Sequence, residues 1–252
     1  MSISIVVPVW RREVYERVAL PWIEFEVEQG AELLEVSGDS IFEAYEHGRQ
    51  TATNDVIVYI HDDARLMVPI CIAHDAPVVF DNHPGLGLIG PYGRGIKPSV
   101  LPWWDHDGPW VGHYLQNVYR YAQGGRMRLE RFYKGQRRWN QWCRTAFVDG
   151  FCLIEHRGRM NVPWDAETFP GQWHGYDVDR CMQAHQLGLD VVVSPWLWWH
   201  DNGGHAGYKG TDPAPNPRKD DQGRHAETDG DALWLADFDQ VTETLREKWN
   251  LQ

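Results

Sequence analysis

Three apolar runs separated by two helix-like stretches fill the first sixty residues, and this order restricts the fold more than any other feature of the chain. The runs are ISIVVPVW (3–10), AELLEVSGD (31–39) and DVIVYI (55–60), and β-branched residues dominate the first and the third. Nearly continuous apolar strands are typical of a sheet that is covered on both faces. Strands that alternate with helices predict a doubly wound, mostly parallel α/β sheet.

Two helices are predicted between these strands. The first covers about 12–29, where apolar residues recur at helical spacing. The second follows Ser40, whose side chain can cap a helix, and Glu43 three residues later completes a capping box.

The rest of the chain continues the α/β pattern after an irregular region. We predict a strand pair or bend within 145–158, a short helix at 176–188 and a strand at 189–200. A loop rich in glycine, proline and aspartate follows over 201–231, and an amphipathic helix closes the chain.

Composition excludes several classes of protein. The 252 residues are 42% hydrophobic and 24% charged, which is ordinary for a globular protein. No apolar stretch approaches the ~18–20 residues of a membrane span, and the first residues lack a basic leader, so they are expected to form a strand. Four widely spaced cysteines without a CxxC pair suggest neither a zinc site nor disulfides, and a cytoplasmic location is expected. The net charge of −12 disfavours non-specific binding to nucleic acid.

Acidic and histidine residues follow several of the predicted strands. His61, Asp62 and Asp63 end the third strand, Asp39 ends the second, and His200 ends the last. In doubly wound sheets, ligands bind beyond the carboxyl ends of the strands. Asp63 and His200 would supply a partial ligand set for a divalent cation such as Mn²⁺. Each feature alone is more typical of a solvated turn or of a buried, hydrogen-bonded histidine.

The order of these motifs resembles the glycosyltransferase A fold, in particular the inverting family-two-like glycosyltransferases and a short phage and bacterial branch of them. The resemblance rests on five segments in chain order, which are VPVW, AYEHG, HDD, DGFCL and GYDVDRCMQAHQLG, followed by a histidine after the next strand. It covers residues 3 to about 204, and its most specific part is residues 175–204. The resemblance implies an α/β, Rossmann-like fold in which a mostly parallel sheet is flanked by helices.

The resemblance implies a role for each matching residue. Asp63 corresponds to the last aspartate of the metal-binding D-x-D motif, His200 to a histidine that completes the metal site, and Asp177 to the catalytic base. The residues implied to hold the sugar donor are Pro8, Val9, Trp10, Asp39, His61 and Asp62. Those implied to contact the acceptor are Asp149, Gly150, Trp173 and Tyr176.

Two positions depart from the family pattern. His61 stands at the first D-x-D position, and Tyr176 stands where the family has a glutamate before the base. The second departure leaves Asp177 and Asp179 as rival candidates for the base. A reading without catalysis is that both aspartates stabilise the helix N-terminus by ~0.3–1 kcal/mol.

The resemblance also implies a division of the chain. A single glycosyltransferase domain is expected over 1–204, with a nucleotide-sugar half at about 1–95 and an acceptor half at about 96–204. A flexible loop is expected at 205–231, and a C-terminal helix at 232–252 is expected to pack on the same domain.

A basic and aromatic segment at 119–144 has three interpretations. It is a solvated surface, which most charge runs are. Alternatively, one or two arginines clamp the donor's diphosphate, or the segment forms a groove for a polyanionic acceptor. The candidate contacts are Arg126, Arg128, Arg137 and Arg138.

Together these features predict a metal-dependent inverting glycosyltransferase of the hexosyltransferase class. It is expected to use Mn²⁺ or Mg²⁺ and to move a sugar from a nucleotide-sugar donor, most simply a UDP-sugar, to an acceptor hydroxyl. The acceptor would be a glycan or a hydroxymethylated base in phage DNA, and no obligate protein partner is evident. One rival is a catalytically idle carbohydrate- or nucleic-acid-binding module on the same fold. A second is a nucleotidyltransferase, which the order of the motifs disfavours.

Overall fold

The computed structural model describes residues 2–67, 70–95, 110–112, 114–118, 128–131, 142–201 and 229–251. Its strands are β1 (Ile3–Pro8), β2 (Glu32–Val36), β3 (Val56–Ile60), β4 (Ala64–Leu66), β5 (Leu86–Gly90), β6 (Tyr92–Arg94), β7 (Trp110–Gly112), β8 (Tyr114–Val118), β9 (Arg128–Arg131), β10 (Cys143–Arg144), β11 (Phe147–Val148), β12 (Cys152–His156), β13 (Asp190–Val193) and β14 (Trp198–His200). Its helices are α1 (Arg12–Arg17), α2 (Leu20–Glu28), α3 (Ile41–Thr51), α4 (Ile72–Asn82), α5 (Tyr176–Gln186) and α6 (Asp229–Trp249).

A seven-stranded sheet forms the centre of the fold, in the order β10-β13-β5-β12-β3-β1-β2. Strands β13, β5, β3, β1 and β2 run in one direction, and only β12 and β10 run against it. The expected α/β architecture with a mostly parallel sheet is therefore confirmed.

The two faces of this sheet are covered by different helices. Alternate residues of β1 and β3 point to opposite sides, so Ile5 and Val58 pack on the side of α1, α2 and α4, whereas Val6 and Ile57 pack on the side of α3, α5 and α6. Both strands are buried along their whole length, as their continuous apolar sequences predict.

The capping box predicted at α3 is present. The side-chain oxygen of Ser40 accepts a hydrogen bond from the backbone N–H of Glu43, at 3.1 Å. The Glu43 carboxylate accepts one from the backbone N–H of Asp39, at 2.9 Å. Hydrogen bonds within residues 39–43 thus fix the start of α3 and the path of the chain leaving β2.

Two predicted elements are divided in the structure. The helix expected over 12–29 breaks between Arg17 and Leu20, because Pro21 has no N–H to donate to the preceding turn and instead lies in the first turn of α2. The strand expected over 189–200 is two strands, since Pro195 cannot donate to a ladder and lies between β13 of the central sheet and β14 of a separate sheet.

The C-terminal helix begins earlier than expected, at Asp229, and most of the predicted loop at 205–231 lies outside the described residues. Within the part of the chain that the structure describes, no helix combines the length and the apolar character needed to span a membrane.

Candidate active site

The carboxyl ends of β1, β2 and β3 lie side by side at one edge of the central sheet. Pro8 pairs with Val36 at the end of β2, and the chain continues from there to the exposed Asp39. The sheet therefore gathers Pro8, Asp39 and the His61–Asp63 turn at one edge, as the sequence predicts.

A second, smaller sheet brings His200 to this edge. It contains β4 and β14 in antiparallel register, with His200 opposite Ala64. The backbone N–H of Asp201 also donates to the carbonyl of Asp63, at 2.8 Å. The pairing of β4 with β14 thus places His200 beside Asp63, although the two residues are far apart in the sequence.

His61, Asp63 and His200 form a cluster, called the cation cluster below, whose potential ligand atoms all lie within 4.8 Å of one another. His200 Nε2 lies 3.2 Å from Asp63 Oδ1, and His61 Nδ1 lies 4.0 Å from the same oxygen. Protein ligands bind divalent cations at roughly 2.0–2.6 Å, so two ligands of one ion stand roughly 3–5 Å apart. The cluster has the dimensions of a metal site, and His61 belongs to it.

The chemistry of the three side chains also fits a divalent cation. Asp63 Oδ1 is buried, and no donor among the described residues meets it with good hydrogen-bond geometry, although His200 Nε2 is close. The other oxygen, Oδ2, pairs with Arg11, so Oδ1 is the oxygen of Asp63 that is left to bind a cation. One carboxylate and two imidazoles suit Mn²⁺ and related ions.

Protonation states in the cation cluster favour metal binding. Burial lowers the pKa of His61 to about 3, which keeps its imidazole neutral. Burial alone would raise the pKa of Asp63, but His200, His61 and Arg11 outweigh it and hold the carboxyl well below its usual range. Burial likewise lowers the pKa of His200, yet attraction to Asp63 raises it overall. A cation that binds here meets an ionised carboxylate and displaces at most one proton.

Arg11 is a site residue that the sequence analysis missed. Its Nη2 lies 2.6 Å from Asp62 Oδ1 and 2.8 Å from Asp63 Oδ2, so one guanidinium joins both carboxylates. Asp62 Oδ2 accepts backbone hydrogen bonds from Trp10 and Arg11 as well. Asp62 therefore holds the turn after β1 in place. The only signal in the sequence was a basic residue directly after the first strand.

Asp149 and Asp177 form a second acidic group near the cation cluster. Asp177 lies in the first turn of α5, and its Oδ1 accepts from the backbone N–H of Val178 at 2.9 Å. Burial, reinforced by the negative charge of Asp149, raises the pKa of Asp177 to about 7. Burial also raises the pKa of Asp149, against the attraction of His200. Asp177 is thus poised to take up a proton near neutral pH.

The rival candidate, Asp179, has different surroundings. It is fully buried, and its Oδ1 accepts from Lys248 Nζ at 2.7 Å and from Trp249 Nε1 at 2.8 Å. Gln183 Nε2 donates to the other oxygen at 3.0 Å. Both carboxylate oxygens of Asp179 therefore accept hydrogen bonds from α5 and α6, and these bonds hold α6 against α5. Asp177, whose carboxylate has no such partners among the described side chains of α6, is the better candidate for the base.

The Asp179→Asn variant should lose stability. Asparagine keeps one acceptor oxygen for Lys248 and Trp249 but turns an amide donor toward Gln183 Nε2, so the free energy of unfolding should fall by about 1–3 kcal/mol. Urea unfolding of the variant measures this loss. Asp55→Asn, at an exposed carboxylate before β3, is the control and should stay within about 0.5 kcal/mol of the parent. Equal midpoints for all three proteins would contradict the proposed fastening of α6.

Trp10, predicted to hold the donor, lies in contact with Trp173, predicted to contact the acceptor. The Trp10 and Trp173 rings meet edge to face, with centroids 4.0 Å apart, and Trp10 is 48% exposed. The predicted donor side and acceptor side therefore meet at this aromatic pair.

Tyr176 and Gly150, both predicted to contact the acceptor, lie in contact with each other. A Cβ built on Gly150 would lie 2.5 Å from the Tyr176 ring and hydroxyl, so only glycine fits there. The Tyr176 hydroxyl lies 2.6 Å from His61 Nε2. Phe151, which the sequence analysis missed, stacks on His200 with centroids 4.6 Å apart.

Most of the predicted basic contacts fall outside the described residues. These are Arg126, Arg137 and Arg138. Arg128 lies in β9, where the structure describes the backbone. Arg144, at the end of the same basic segment, pairs with Asp190 at 2.7 Å.

Comparison with known families identifies the chain. Residues 4–208 match the model of a family described as glycosyltransferase-like. The chain belongs to this family. The predicted glycosyltransferase family is confirmed, and with it the enzyme class: the chain is a glycosyltransferase with an α/β fold built on a mostly parallel sheet.

Several solved structures are similar to this glycosyltransferase at low identity. The A197 protein from STIV shares 12% identity over 79% of this chain and 85% of its own, with a TM-score of 0.45. GalNAc-T7 with UDP, GalNAc and Mn²⁺ shares 10% identity over 100% of this chain and 55% of its own, with a TM-score of 0.49. A Drosophila β1,4-galactosyltransferase 7 mutant in complex with manganese, UDP-Gal and xylobiose shares 15% identity over 76% of this chain and 63% of its own, with a TM-score of 0.37. No curated protein matches the sequence.

Proposed function

We propose that this glycosyltransferase is metal-dependent and inverting, and that it moves a sugar from a nucleotide-sugar donor, most simply a UDP-sugar, to an acceptor hydroxyl. The observation that carries the proposal is the cation cluster of His61, Asp63 and His200. It lies at the strand edge where doubly wound sheets bind ligands.

The donor would lie against the carboxyl ends of β1 and β2. Pro8, Val9, Trp10 and Asp39 line this edge, and the cation cluster is beside it. His61, Asp63 and His200 would hold Mn²⁺ or Mg²⁺. A divalent cation bound there would balance the negative charge that develops on the departing nucleoside diphosphate.

Asp177 would act as the general base. Its carboxylate would accept the proton of the acceptor hydroxyl while the hydroxyl oxygen forms a bond to the anomeric carbon. The bond from that carbon to the diphosphate oxygen breaks in the same step, which inverts the configuration. A raised pKa makes this carboxylate a stronger base than a solvated aspartate, which supports the role.

The acceptor would approach from the side of Asp149 and Trp173. A glycan and a hydroxymethylated base in phage DNA are both compatible with a reacting hydroxyl beside an aromatic ring. The cytoplasmic location expected from the cysteines stays a prediction, as do the contacts of the basic segment.

A thermal-shift screen of nucleotide sugars tests the donor class. Ligands that bind the native state raise its melting temperature by mass action. We expect UDP-sugars to raise it in the presence of Mn²⁺ and to have little effect after chelation. A shift from nucleoside triphosphates alone would instead favour a nucleotidyltransferase.

A further inference from the structure

The hydroxyl of Tyr176 contacts His61 at the ring nitrogen that points away from Asp63. The Tyr176 hydroxyl oxygen lies 2.6 Å from His61 Nε2. The other ring nitrogen of His61, Nδ1, faces Asp63 Oδ1 at 4.0 Å. The two nitrogens of one imidazole are thus divided between a protein partner and the cation cluster.

Tyr176 is held rigidly in this position. It is buried, and its ring crosses those of Phe42 and Tyr45 at centroid distances of 6.5 Å and 5.7 Å. On its remaining side, the ring and hydroxyl press on the backbone of Gly150, where no Cβ fits. A side chain packed on several sides keeps its hydroxyl at one place, which is what orients a neighbouring ligand.

From this geometry we infer that Tyr176 is a positioning residue: its hydroxyl accepts a hydrogen bond from His61 Nε2, which leaves the Nδ1 lone pair for the cation. A neutral imidazole carries one proton, so placing it on Nε2 frees Nδ1 as a ligand atom. The inference rests on the proposed metal-dependent function and adds which atom of His61 binds and what fixes it.

The same contact connects the cation cluster with the candidate base. Tyr176 directly precedes Asp177 in α5, and its ring packs on the backbone between Asp149 and Phe151. Phe151 in turn stacks on His200. One tyrosine therefore sets the position of α5's first turn against two of the three candidate ligands.

The Tyr176→Phe variant tests the role of the hydroxyl. It keeps the packed ring and removes only the hydrogen-bond partner of His61. Loss of such an outer partner weakens metal binding by about 10–100-fold. We expect this loss for Mn²⁺ titrated by electron paramagnetic resonance in the presence of saturating UDP.

Tyr45→Phe is a matched control. Tyr45 is fully buried in the same aromatic group, and its hydroxyl has no hydrogen-bond partner among the described residues. Its removal should leave Mn²⁺ affinity within about twofold of the parent. An unchanged Mn²⁺ affinity in Tyr176→Phe, with Asp63→Asn still losing binding, overturns the positioning role and leaves the proposed function standing. Unchanged Mn²⁺ affinity in both Tyr176→Phe and Asp63→Asn contradicts the metal site itself.

A spectroscopic measurement on the parent protein identifies the protonated ring nitrogen of His61 directly. Long-range ¹H–¹⁵N correlation of ¹⁵N-histidine protein, with His61 assigned by His61→Gln, distinguishes the protonated from the unprotonated ring nitrogen. We expect protonation at Nε2, and a shift of Nδ1 when Zn²⁺ or Mg²⁺ is added with UDP. A metal-induced shift at Nε2 overturns the inference.

Discussion

Asp177→Asn is expected to abolish sugar transfer while leaving donor binding intact. The variant keeps the side-chain shape but cannot accept a proton, so kcat should fall by about 10²–10⁴-fold. UDP affinity in the presence of Mn²⁺ should stay within about twofold of the parent, since Asp177 lies outside the cation cluster. Steady-state kinetics and calorimetry measure the two quantities separately.

One control accompanies this variant. Asp179→Asn removes a neighbouring carboxylate that fastens α6, and its effect should follow stability more than kcat. If Asp179→Asn lost transfer at temperatures where it is fully folded while Asp177→Asn stayed active, Asp179 and not Asp177 would be the base.

The pH dependence follows from the raised pKa of Asp177. Only the ionised carboxylate accepts a proton, so kcat/KM should fall below about pH 7, tenfold per unit. Asp149→Asn removes a negative neighbour and should move this limb to lower pH, although burial keeps it above the usual range of aspartate. Because the two carboxylates interact, the pH at which activity falls reports an apparent pKa of the Asp149–Asp177 pair.

Stability should change in the opposite direction to activity. The pKa of Asp177 is higher in the folded protein than its ordinary value of 3.8, so the fold loses stability as pH rises through about 7. Asp177→Asn removes this loss, and its gain over the parent should grow between pH 4 and pH 8. Since one pKa unit equals about 1.4 kcal/mol, the gain should approach at most about 4 kcal/mol. Urea unfolding at the two pH values measures it.

Asp63→Asn is expected to abolish metal-dependent nucleotide binding. Asp63 supplies the only carboxylate of the cation cluster, and asparagine keeps its shape without its charge. Affinity for Mn²⁺ in the presence of UDP should fall by at least about 100-fold, because the loss of a direct ligand exceeds that of an outer partner. His200→Gln should behave in the same way.

The matched control for Asp63 lies at the other end of β3. Asp55 precedes β3 at its opposite end, and its side chain is 66% exposed. Asp55→Asn removes the same charge from the chain without touching the cluster, so Mn²⁺ affinity should not change. Equal Mn²⁺ affinity in Asp63→Asn and Asp55→Asn would show that Asp63 is not a ligand.

The central sheet could be predicted because its strands carry their own signal. β3 and, apart from Ser4, β1 are apolar, and Ser40 with Glu43 marks the start of α3. Periodicity also suggested one helix over 12–29, where the missing N–H of Pro21 interrupts it. The strands, the helix cap and the break at Pro21 all depend on residues that are close together in the chain.

The candidate site was predicted only in part, because its contacts join distant segments. His200 reaches Asp63 through β4 and β14, two strands of three residues that leave no pattern in the sequence. Nothing local shows that Arg11 bridges Asp62 and Asp63. The ring of His61 turns toward the cation cluster because Tyr176 meets its other nitrogen, a contact between residues 115 positions apart.

Donor turnover tests the proposed function most directly. The parent protein is incubated with a panel of UDP-sugars and Mn²⁺, and released UDP is measured with and without a chelator. We predict slow UDP release from at least one donor, which stops on chelation and is absent in Asp63→Asn. Binding of UDP-sugars without release from any of them would contradict an active transferase and indicate an idle binding module, and release that persists after chelation would contradict the role of the metal.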